Sequence, residues 1–143
     1  MPEELYTRCM NTTAKDIMSN KIIVAKEDMN LEDAVKLLVN NKITGLPVVD
    51  KQGHMIGILS EYDIIANVGG EKQLVASLFK RSISYTKDVE SVFEDTTIED
   101  ILSRFINAKC RRLPVLDKNK RLVGIISRRD IMRMLYYRAK VSE

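Results

Sequence analysis

Residues 46–64 read LPVVDKQGHMIGILSEYDI, and residues 113–131 read LPVLDKNKRLVGIISRRDI. The two stretches lie 67 positions apart. Extended back without a gap, 28–64 matches 95–131 with 15 of 37 positions identical. Repetition at a fixed spacing is typical of a chain built from like structural units. We therefore expect this chain to fold as two copies of one unit.

Each copy opens with a strand pattern followed by a helix pattern. A short β-prone run at 22–25 has a weaker counterpart at 89–93. Apolar residues at helical spacing come next: Leu31, Ala34, Val35, Leu38 and Val39 in the first copy, and Ile98, Ile101, Leu102, Phe105 and Ile106 in the second. Asn30 and Thr97 are the candidate N-caps of these two helices.

Each copy then continues as a β-hairpin and a closing helix. Strands are predicted over 46–49 and 55–59, and again over 113–116 and 122–126, around turns that begin at Asp50 and Asp117. The closing helices are predicted over 61–67 and 128–138. Residues 68–71 should break the first of them, and a linker at 69–87 should hold a helical piece around 74–79.

These patterns define the expected architecture. The unit is β-α-β-β-α, which makes the fold α/β (α+β), with a first repeat at 14–68 and a second at 88–140. So small a unit buries too little surface to be stable alone. We expect the two repeats to pack sheet to sheet with pseudo-twofold symmetry in one module spanning 1–143.

Composition narrows the class of protein. Apolar residues make up 45% of the chain and charged residues 30%, which favours a globular fold over disorder. No run approaches the roughly 20 apolar residues that cross a bilayer, and the charged residues within 1–10 argue against a secretory signal. We expect a cytoplasmic protein, no membrane association, and reduced thiols at Cys9 and Cys110.

Catalysis and metal binding find little support in the sequence. There is no nucleophile elbow, phosphate-binding loop or cluster of metal ligands, and His54, the single histidine, should be an exposed turn residue without an acidic partner. A formal charge of +3 is too small to predict nucleic-acid binding. We expect no enzyme, no metal site and no required cofactor.

The repeated Ser-x-x-Asp motifs, Ser60 to Asp63 and Ser127 to Asp130, carry the most chemistry. One interpretation is a capping box, in which the serine hydroxyl and the carboxylate satisfy backbone N–H groups at a helix start. The same geometry can offer a carboxylate to ribose hydroxyls and free N–H groups to phosphate. Gly57 and Gly124 indicate either close approach by a ligand or packing between repeats.

These motifs, together with the two Leu-Pro-Val hairpins, resemble the tandem cystathionine beta-synthase (CBS) domain pair, also called the Bateman module. The resemblance covers nearly the whole chain from Asp16-Ile17-Met18 onward and is similar in layout to stand-alone two-repeat members. It implies binding of AMP, ADP or ATP, less often S-adenosylmethionine or NADH, and a disc-shaped homodimer. The Asp16-Ile17-Met18 lead-in has no sequence counterpart at residues 83–85.

The resemblance also implies a set of ligand-binding residues. Ile58 and Ile125 would flank the adenine, and Ile23 would lend backbone groups to the base. Each cleft would take its ribose-binding Asp from one repeat and its phosphate contacts from the other. One site would then hold Asp130, Ser127, Thr44 and Gly45, with Arg111 or Arg112 reaching the phosphates, and a second cleft would hold Asp63, Ser60, Arg111 and Arg129.

The two clefts are not chemically equal. The second copy carries Arg111-Arg112 and Arg128-Arg129 where the first carries Thr44-Gly45 and Glu61-Tyr62. Guanidinium groups suit phosphate, although a solvated basic face is the alternative. The leading hypothesis is an adenine-nucleotide sensor that signals to a regulated partner protein, and the alternative is a scaffold that docks an acidic protein or nucleic acid.

Overall fold

Two repeats of the same kind make up the chain, each with a three-stranded sheet and flanking helices. The computed structural model describes residues 11–69, 75–108 and 110–142. In chain order the elements are α1 (Ala14–Ile17), β1 (Ala25–Lys26), α2 (Leu31–Asn41), β2 (Gly45–Val49), β3 (Met55–Ser60), α3 (Glu61–Gly69), α4 (Val75–Phe79), β4 (Val92–Phe93), α5 (Ile98–Ala108), β5 (Arg112–Leu116), β6 (Leu122–Ser127) and α6 (Arg128–Ser142). The predicted α/β class is confirmed.

The chain divides into two compact units that do not coincide with the repeats along the sequence. The first-repeat unit is Ile23–Val89, and the second-repeat unit combines Met1–Ile22 with Glu90–Glu143. Residues 14–22, the start of the predicted first repeat, therefore group with the second repeat, and the segment between the repeats groups with the first. Among the described residues no helix is long and apolar enough to cross a membrane.

The two sheets have the same topology and register. In each, a short first strand pairs in parallel with the next strand, which pairs antiparallel with the third. Gly57 lies opposite Val48 in one sheet, and Gly124 lies opposite Val115 in the other. Each register then shifts at the following residue, so both hairpins carry the same irregularity, which bends the strand locally.

Each unit has its own apolar core. In the first-repeat unit Leu31, Ala34 and Leu38 of α2 are buried with Leu46, Val48 and Leu59 of the sheet, and the second-repeat unit buries the equivalent Ile98, Ile101, Phe105, Leu113, Val115 and Ile126. The predicted N-caps are confirmed. The Asn30 Oδ1 accepts from the N–H of Asp33 at 2.8 Å, and the Thr97 Oγ1 accepts from that of Asp100 at 3.4 Å.

Two residues of the predicted apolar helix faces lie outside the buried stripe. Val39 and Ile106, the last apolar residues of the two helix patterns, are 67% and 74% exposed. Val39 lies seven residues after Glu32, and Ile106 lies seven residues after Glu99. Because seven residues make almost two turns of a helix, each apolar residue lies on the same exposed side as the acid before it. Apolar character therefore extends onto an exposed face in both repeats.

Several predicted boundaries shift. In the run at 22–25 only Ala25 belongs to a strand, because only Ala25 and Lys26 pair with β2. The run at 89–93 pairs only at Val92 and Phe93. The first closing helix continues to Gly69, past the expected break at 68, and α6 continues to Ser142. The helical piece of the linker is Val75–Phe79, and its predicted start at 74 lies outside the described residues.

A lead-in segment covers the glycine of each third strand. The backbones of Ser19 and Ile125 pair through two hydrogen bonds of 2.8 and 3.0 Å, and those of Thr86 and Ile58 pair through two of 2.8 and 2.9 Å. Residues 82–86 are thus a backbone counterpart of the N-terminal lead-in, although they lack both its sequence and its helical turn α1. This segment forms a structural lead-in that the sequence comparison missed.

The role of the two glycines follows from these lead-ins. A Cβ on Gly57 would lie 2.5 Å from the Thr86 carbonyl oxygen and 2.5 Å from the Tyr85 ring, and a Cβ on Gly124 would meet the Met18 side chain. At Gly124 this is the packing between repeats that the sequence suggested, because Met18 belongs to the predicted first repeat, whereas Gly57 contacts the predicted linker. Both glycines are required because a lead-in segment packs directly on the strand.

Candidate functional site

Both Ser-x-x-Asp motifs form capping boxes at the junction between a third strand and a helix. The Asp63 Oδ2 accepts from the N–H and the hydroxyl of Ser60 at 2.9 and 3.0 Å, and the Asp63 N–H donates to the Ser60 Oγ at 3.2 Å. The Asp130 Oδ2 accepts from the N–H and hydroxyl of Ser127 at 2.7 and 2.9 Å, and the Asp130 N–H donates to the Ser127 Oγ at 3.3 Å. The capping interpretation is confirmed.

The second carboxylate oxygen differs between the motifs. The Asp63 Oδ1 accepts from the hydroxyl of Thr86 at 3.2 Å, which ties the lead-in segment to α3. The Asp130 Oδ1 accepts from the Arg133 guanidinium at 3.2 Å. Arg133 is 58% exposed and Asp130 is 10% exposed. Only the arginine end of this ion pair is exposed, so the Arg133 side chain has room to move away from Asp130 into water.

The residues that precede each hairpin lie beside the motif of their own unit. Gly45 pairs with Ser60, and the Thr44 carbonyl accepts from the N–H of Glu61 at 3.0 Å. In the other unit Arg112 pairs with Ser127, and the Arg128 Nε donates to the Cys110 carbonyl at 3.2 Å.

Each unit thus has its own neighbouring set. The first-repeat motif has Thr44 and Gly45 beside it, and the second-repeat motif has a half-buried Arg112 and an exposed Arg111. The predicted groupings of Asp130 with Thr44 and of Asp63 with Arg111 and Arg129 join residues of different units, and they stay predictions.

Two of the three apolar residues predicted near the base lie on the third strands, close to the motifs. Ile58 on β3 and Ile125 on β6 are half-buried, and their backbones pair with the two lead-ins. Ile23 packs against the core of the first-repeat unit. Sequence reasoning missed Thr86 and Ser19 as site residues. Each is a hydroxyl-bearing residue at the end of its lead-in, and the 67-residue spacing of the repeats already places the two at equivalent positions.

The prediction that His54 has no acidic partner is wrong. Its side chain is 39% exposed, and its Nδ1 lies 3.2 Å from the Asp50 Oδ2. The Asp50 Oδ1 also accepts from the N–H groups of Gln52 and His54, each at 2.9 Å. This arrangement closes the hairpin turn, in which Gly53 has a φ of 86°. The pair is therefore structural.

Two side chains have shifted pKa values. Desolvation raises the pKa of Asp50, but hydrogen bonds from His54 and Gln52 outweigh it and bring the pKa below its ordinary 3.8. Burial raises the pKa of the Cys110 thiol, which disfavours the reactive thiolate. Cys9 lies outside the described residues. Within the described ranges no group of three or more His, Cys, Asp or Glu could hold a metal ion.

The fold and the site define a tandem-repeat α/β module with a carboxylate and a hydroxyl at two strand-to-helix junctions. The family model for the CBS domain matches twice, at residues 14–70 and 81–137. The chain therefore belongs to the CBS domain family and is a tandem CBS pair.

Known relatives agree with this assignment. An uncharacterized 17.7 kDa protein of Acidianus ambivalens is 32% identical over 126 residues, which cover 88% of this chain and 74% of that protein. The crystal structure of CBSX2 of Arabidopsis thaliana in complex with AMP is 30% identical with a TM-score of 0.74, over 92% of this chain and 98% of that one. The CBS pair of MJ0100, in complex with 5′-methylthioadenosine and S-adenosyl-L-methionine, is 28% identical with a TM-score of 0.70, over 88% of this chain and 97% of that one.

Relatives that have enzyme names match this chain over only a small part of their own length. The chain spans only 23% or 24% of the length of archaeal relatives with enzyme names, such as an L-aspartate semialdehyde sulfurtransferase of Methanocaldococcus jannaschii. In those proteins the matched part is a CBS pair within a larger chain. A CBS pair is a regulatory, adenine-ligand-binding module and not a catalytic domain.

Proposed function

We propose that this chain is an energy-sensing module that binds AMP, ADP or ATP at its Ser-x-x-Asp motifs and passes its ligand state to a regulated partner protein. Binding of S-adenosylmethionine or NADH is the alternative. The AMP held by CBSX2, and the 5′-methylthioadenosine and S-adenosyl-L-methionine held by MJ0100, support an adenine riboside as the common element.

The geometry of Asp130 is the observation that carries the proposal. Its carboxylate is nine-tenths buried, and Ser127 fixes one oxygen, so the carboxylate cannot rotate freely. The other oxygen contacts an exposed arginine that can move aside. A fixed acceptor at a helix N-terminus suits ribose hydroxyls, and nearby N–H groups and guanidiniums suit phosphate. We propose Asp130 as the main ribose acceptor and Asp63 as that of a second site.

Isothermal titration with AMP, ADP, ATP, S-adenosylmethionine and NADH tests the proposal. In Asp130→Asn the carboxylate charge is lost while the side-chain shape stays, so AMP should bind at least roughly tenfold more weakly, because a hydrogen bond to a charged group contributes about 1.5–3 kcal/mol. Asp63→Asn reports on the second site. Asp117→Asn is the matched control, because it makes the same change at the hairpin turn of the second repeat, outside the Ser-x-x-Asp motif. Unchanged AMP affinity in both motif variants would overturn the assignment.

We also propose that the module works as a homodimer. Apolar side chains recur on exposed helix positions in both repeats: Val39 and Ile106 are equivalent, as are Ile65 and Met132, which are 68% and 61% exposed. Apolar residues exposed at matched positions are typical of a surface that is covered in an assembly. Ligand can change the assembly, or the affinity for a partner, only if it binds the two states with different affinity.

A further inference from the structure

The carboxylate of Asp130 has a partner inside its motif and another outside it. Ser127 donates to Oδ2 from its N–H and its hydroxyl, and these bonds belong to the capping box. The guanidinium of Arg133, one helical turn further along α6, donates to Oδ1 at 3.2 Å. The Asp130 side chain is 10% exposed and that of Arg133 is 58% exposed. The arginine thus occupies the oxygen proposed for the ribose, and it has room to turn away into water.

Exchange of Arg133 for a ligand has a consequence for charge. A ribose hydroxyl that donates to the Asp130 Oδ1 takes the place of the guanidinium, which then loses its anionic partner. A ligand that carries a phosphate on the same ribose brings a new anion with it, and a guanidinium binds phosphate with paired N–H donors. A ligand with an uncharged or cationic 5′ substituent brings none. The lost ion pair is therefore replaced only when the ligand is anionic.

Two other arginines of α6 are held by groups outside the motif. The Arg128 Nε donates to the Cys110 carbonyl at 3.2 Å. The Arg138 guanidinium donates to the Thr12 hydroxyl at 3.2 Å. Arg133 differs from both because it contacts the motif carboxylate itself, so ribose binding at that carboxylate must move it.

The first repeat has no arginine at the equivalent position. Ala66 lies 67 residues before Arg133 and is exposed on α3. Helix α3 begins with the acidic Glu61, and none of its residues is basic. The Asp63 Oδ1 accepts from the hydroxyl of Thr86, a neutral donor, at 3.2 Å. A ligand that binds Asp63 therefore displaces no arginine of its own helix.

We infer that Arg133 determines the ligand class of the Asp130 site, by making it selective for adenine ligands with an anionic 5′ substituent. AMP is then preferred over adenosine and S-adenosylmethionine. Without ligand the arginine holds the ribose-binding oxygen, and with AMP it pairs with the phosphate. The Asp63 site lacks this selection. The inference rests on the proposed function and deepens it, because it separates the two sites by the charge of the ligand.

Isothermal titration of one site at a time tests the selectivity. In an Asp63→Asn background, which weakens the other site, Arg133→Gln should weaken AMP binding about fivefold, the contribution of one exposed ion pair. Adenosine and S-adenosylmethionine should bind as well as before or better, because they no longer displace the arginine. Equal weakening of AMP and adenosine, as a merely structural role would give, or no change in either, would overturn the inference.

Lys140→Gln in the same background is the matched control. It removes the same charge from the same side of α6, seven residues and almost two turns beyond Arg133. It should leave both affinities unchanged. A loss of AMP affinity equal to that of Arg133→Gln would show that the overall charge of the helix matters rather than the contact with Asp130, and would contradict the inference.

A transplanted arginine supplies a second test at the other site. Because Ala66 is exposed, Ala66→Arg adds its side chain in water. In an Asp130→Asn background it should raise the ratio of AMP affinity to adenosine affinity about fivefold. Ala66→Gln, which adds length without charge, is the control. An equal ratio in the arginine and glutamine variants would count against the inference.

The proposed function and this inference fail in different ways. If neither the wild type nor the two background variants bind AMP or adenosine, the nucleotide-sensing proposal is wrong, and the inference is wrong with it. If AMP and adenosine both bind and Arg133→Gln leaves their affinity ratio unchanged, the protein binds adenine ligands without selection by Arg133. That result would end the inference alone.

Discussion

Replacing the two equivalent glycines with alanine should destabilise the protein unequally. At Gly57 the new methyl would lie 2.5 Å from both the Thr86 carbonyl oxygen and the Tyr85 ring, so backbone must move. At Gly124 the obstacle is the Met18 side chain, whose Cγ would lie at 2.8 Å and which can change rotamer. Overpacking typically costs about 1–3 kcal/mol. We expect Gly57→Ala to lie at the upper end, about 3 kcal/mol, and Gly124→Ala near 1 kcal/mol.

Urea unfolding of the single and double variants checks this reasoning. Met18→Ala should recover much of the loss in the Gly124→Ala background, as a favourable coupling in a double-mutant cycle. Tyr85→Ala should recover little in the Gly57→Ala background, because the Thr86 carbonyl remains in place. Equal destabilisation by the two glycine variants, or full rescue by Tyr85→Ala, would refute the assignment of the Gly57 clash to backbone.

Three further predictions concern local structure. Asn30→Ala should lower the free energy of unfolding by about 1 kcal/mol and Thr97→Ala by less, because the Asn30 cap bond is 2.8 Å and that of Thr97 is 3.4 Å; thermal unfolding of both variants measures the difference. Thr86→Val removes the hydrogen bond to Asp63 and should lower the free energy of unfolding, measured in urea, by about 1 kcal/mol. It should also weaken AMP binding at the Asp63 site but not at the Asp130 site. An equal effect on both sites would contradict the role given to Thr86. Because the pKa of Asp50 is lowered in the folded state, its ionised form stabilises the hairpin above pH 3.8, and this contribution disappears as the pH falls below that value. Urea unfolding of wild type and Asp50→Asn from pH 6 to pH 2.5 measures the effect. The difference in unfolding free energy between the two proteins should shrink at the acid end.

Local sequence patterns predicted most of the fold, because both repeats carry the same patterns and fold in the same way. The hairpins around Asp50 and Asp117 and the caps at Asn30 and Thr97 depend on residues close together in the chain, and they came out within one or two positions. The first strands did not, because only two residues of each find a partner on the neighbouring strand. Val39 and Ile106 fit the helix pattern, but apolar character alone cannot tell a core from a surface that serves assembly.

The candidate site was predictable only in its local part. Ser60 and Asp63, three residues apart, form a capping box that the spacing alone indicates. Thr86 lies 23 residues from Asp63 and reaches it through a lead-in whose sequence does not match the N-terminal one. Such a contact depends on the tertiary path of the chain, so a comparison of the two repeats by sequence could not find it.

The lead-in before each repeat packs on the third strand of the other repeat, which limits how this protein can be divided into fragments. A gene cut at the boundary between the repeats would yield a first half without residues 82–86, leaving the Gly57 strand bare, and a second half without Met18 to shield Gly124. Fragments that fold by themselves would have to follow the units instead, as 23–89 and as 90–143 joined to 1–22 through a new connection. Evolutionary duplication of this module would accordingly have to carry the covering segment along with the repeat that it protects.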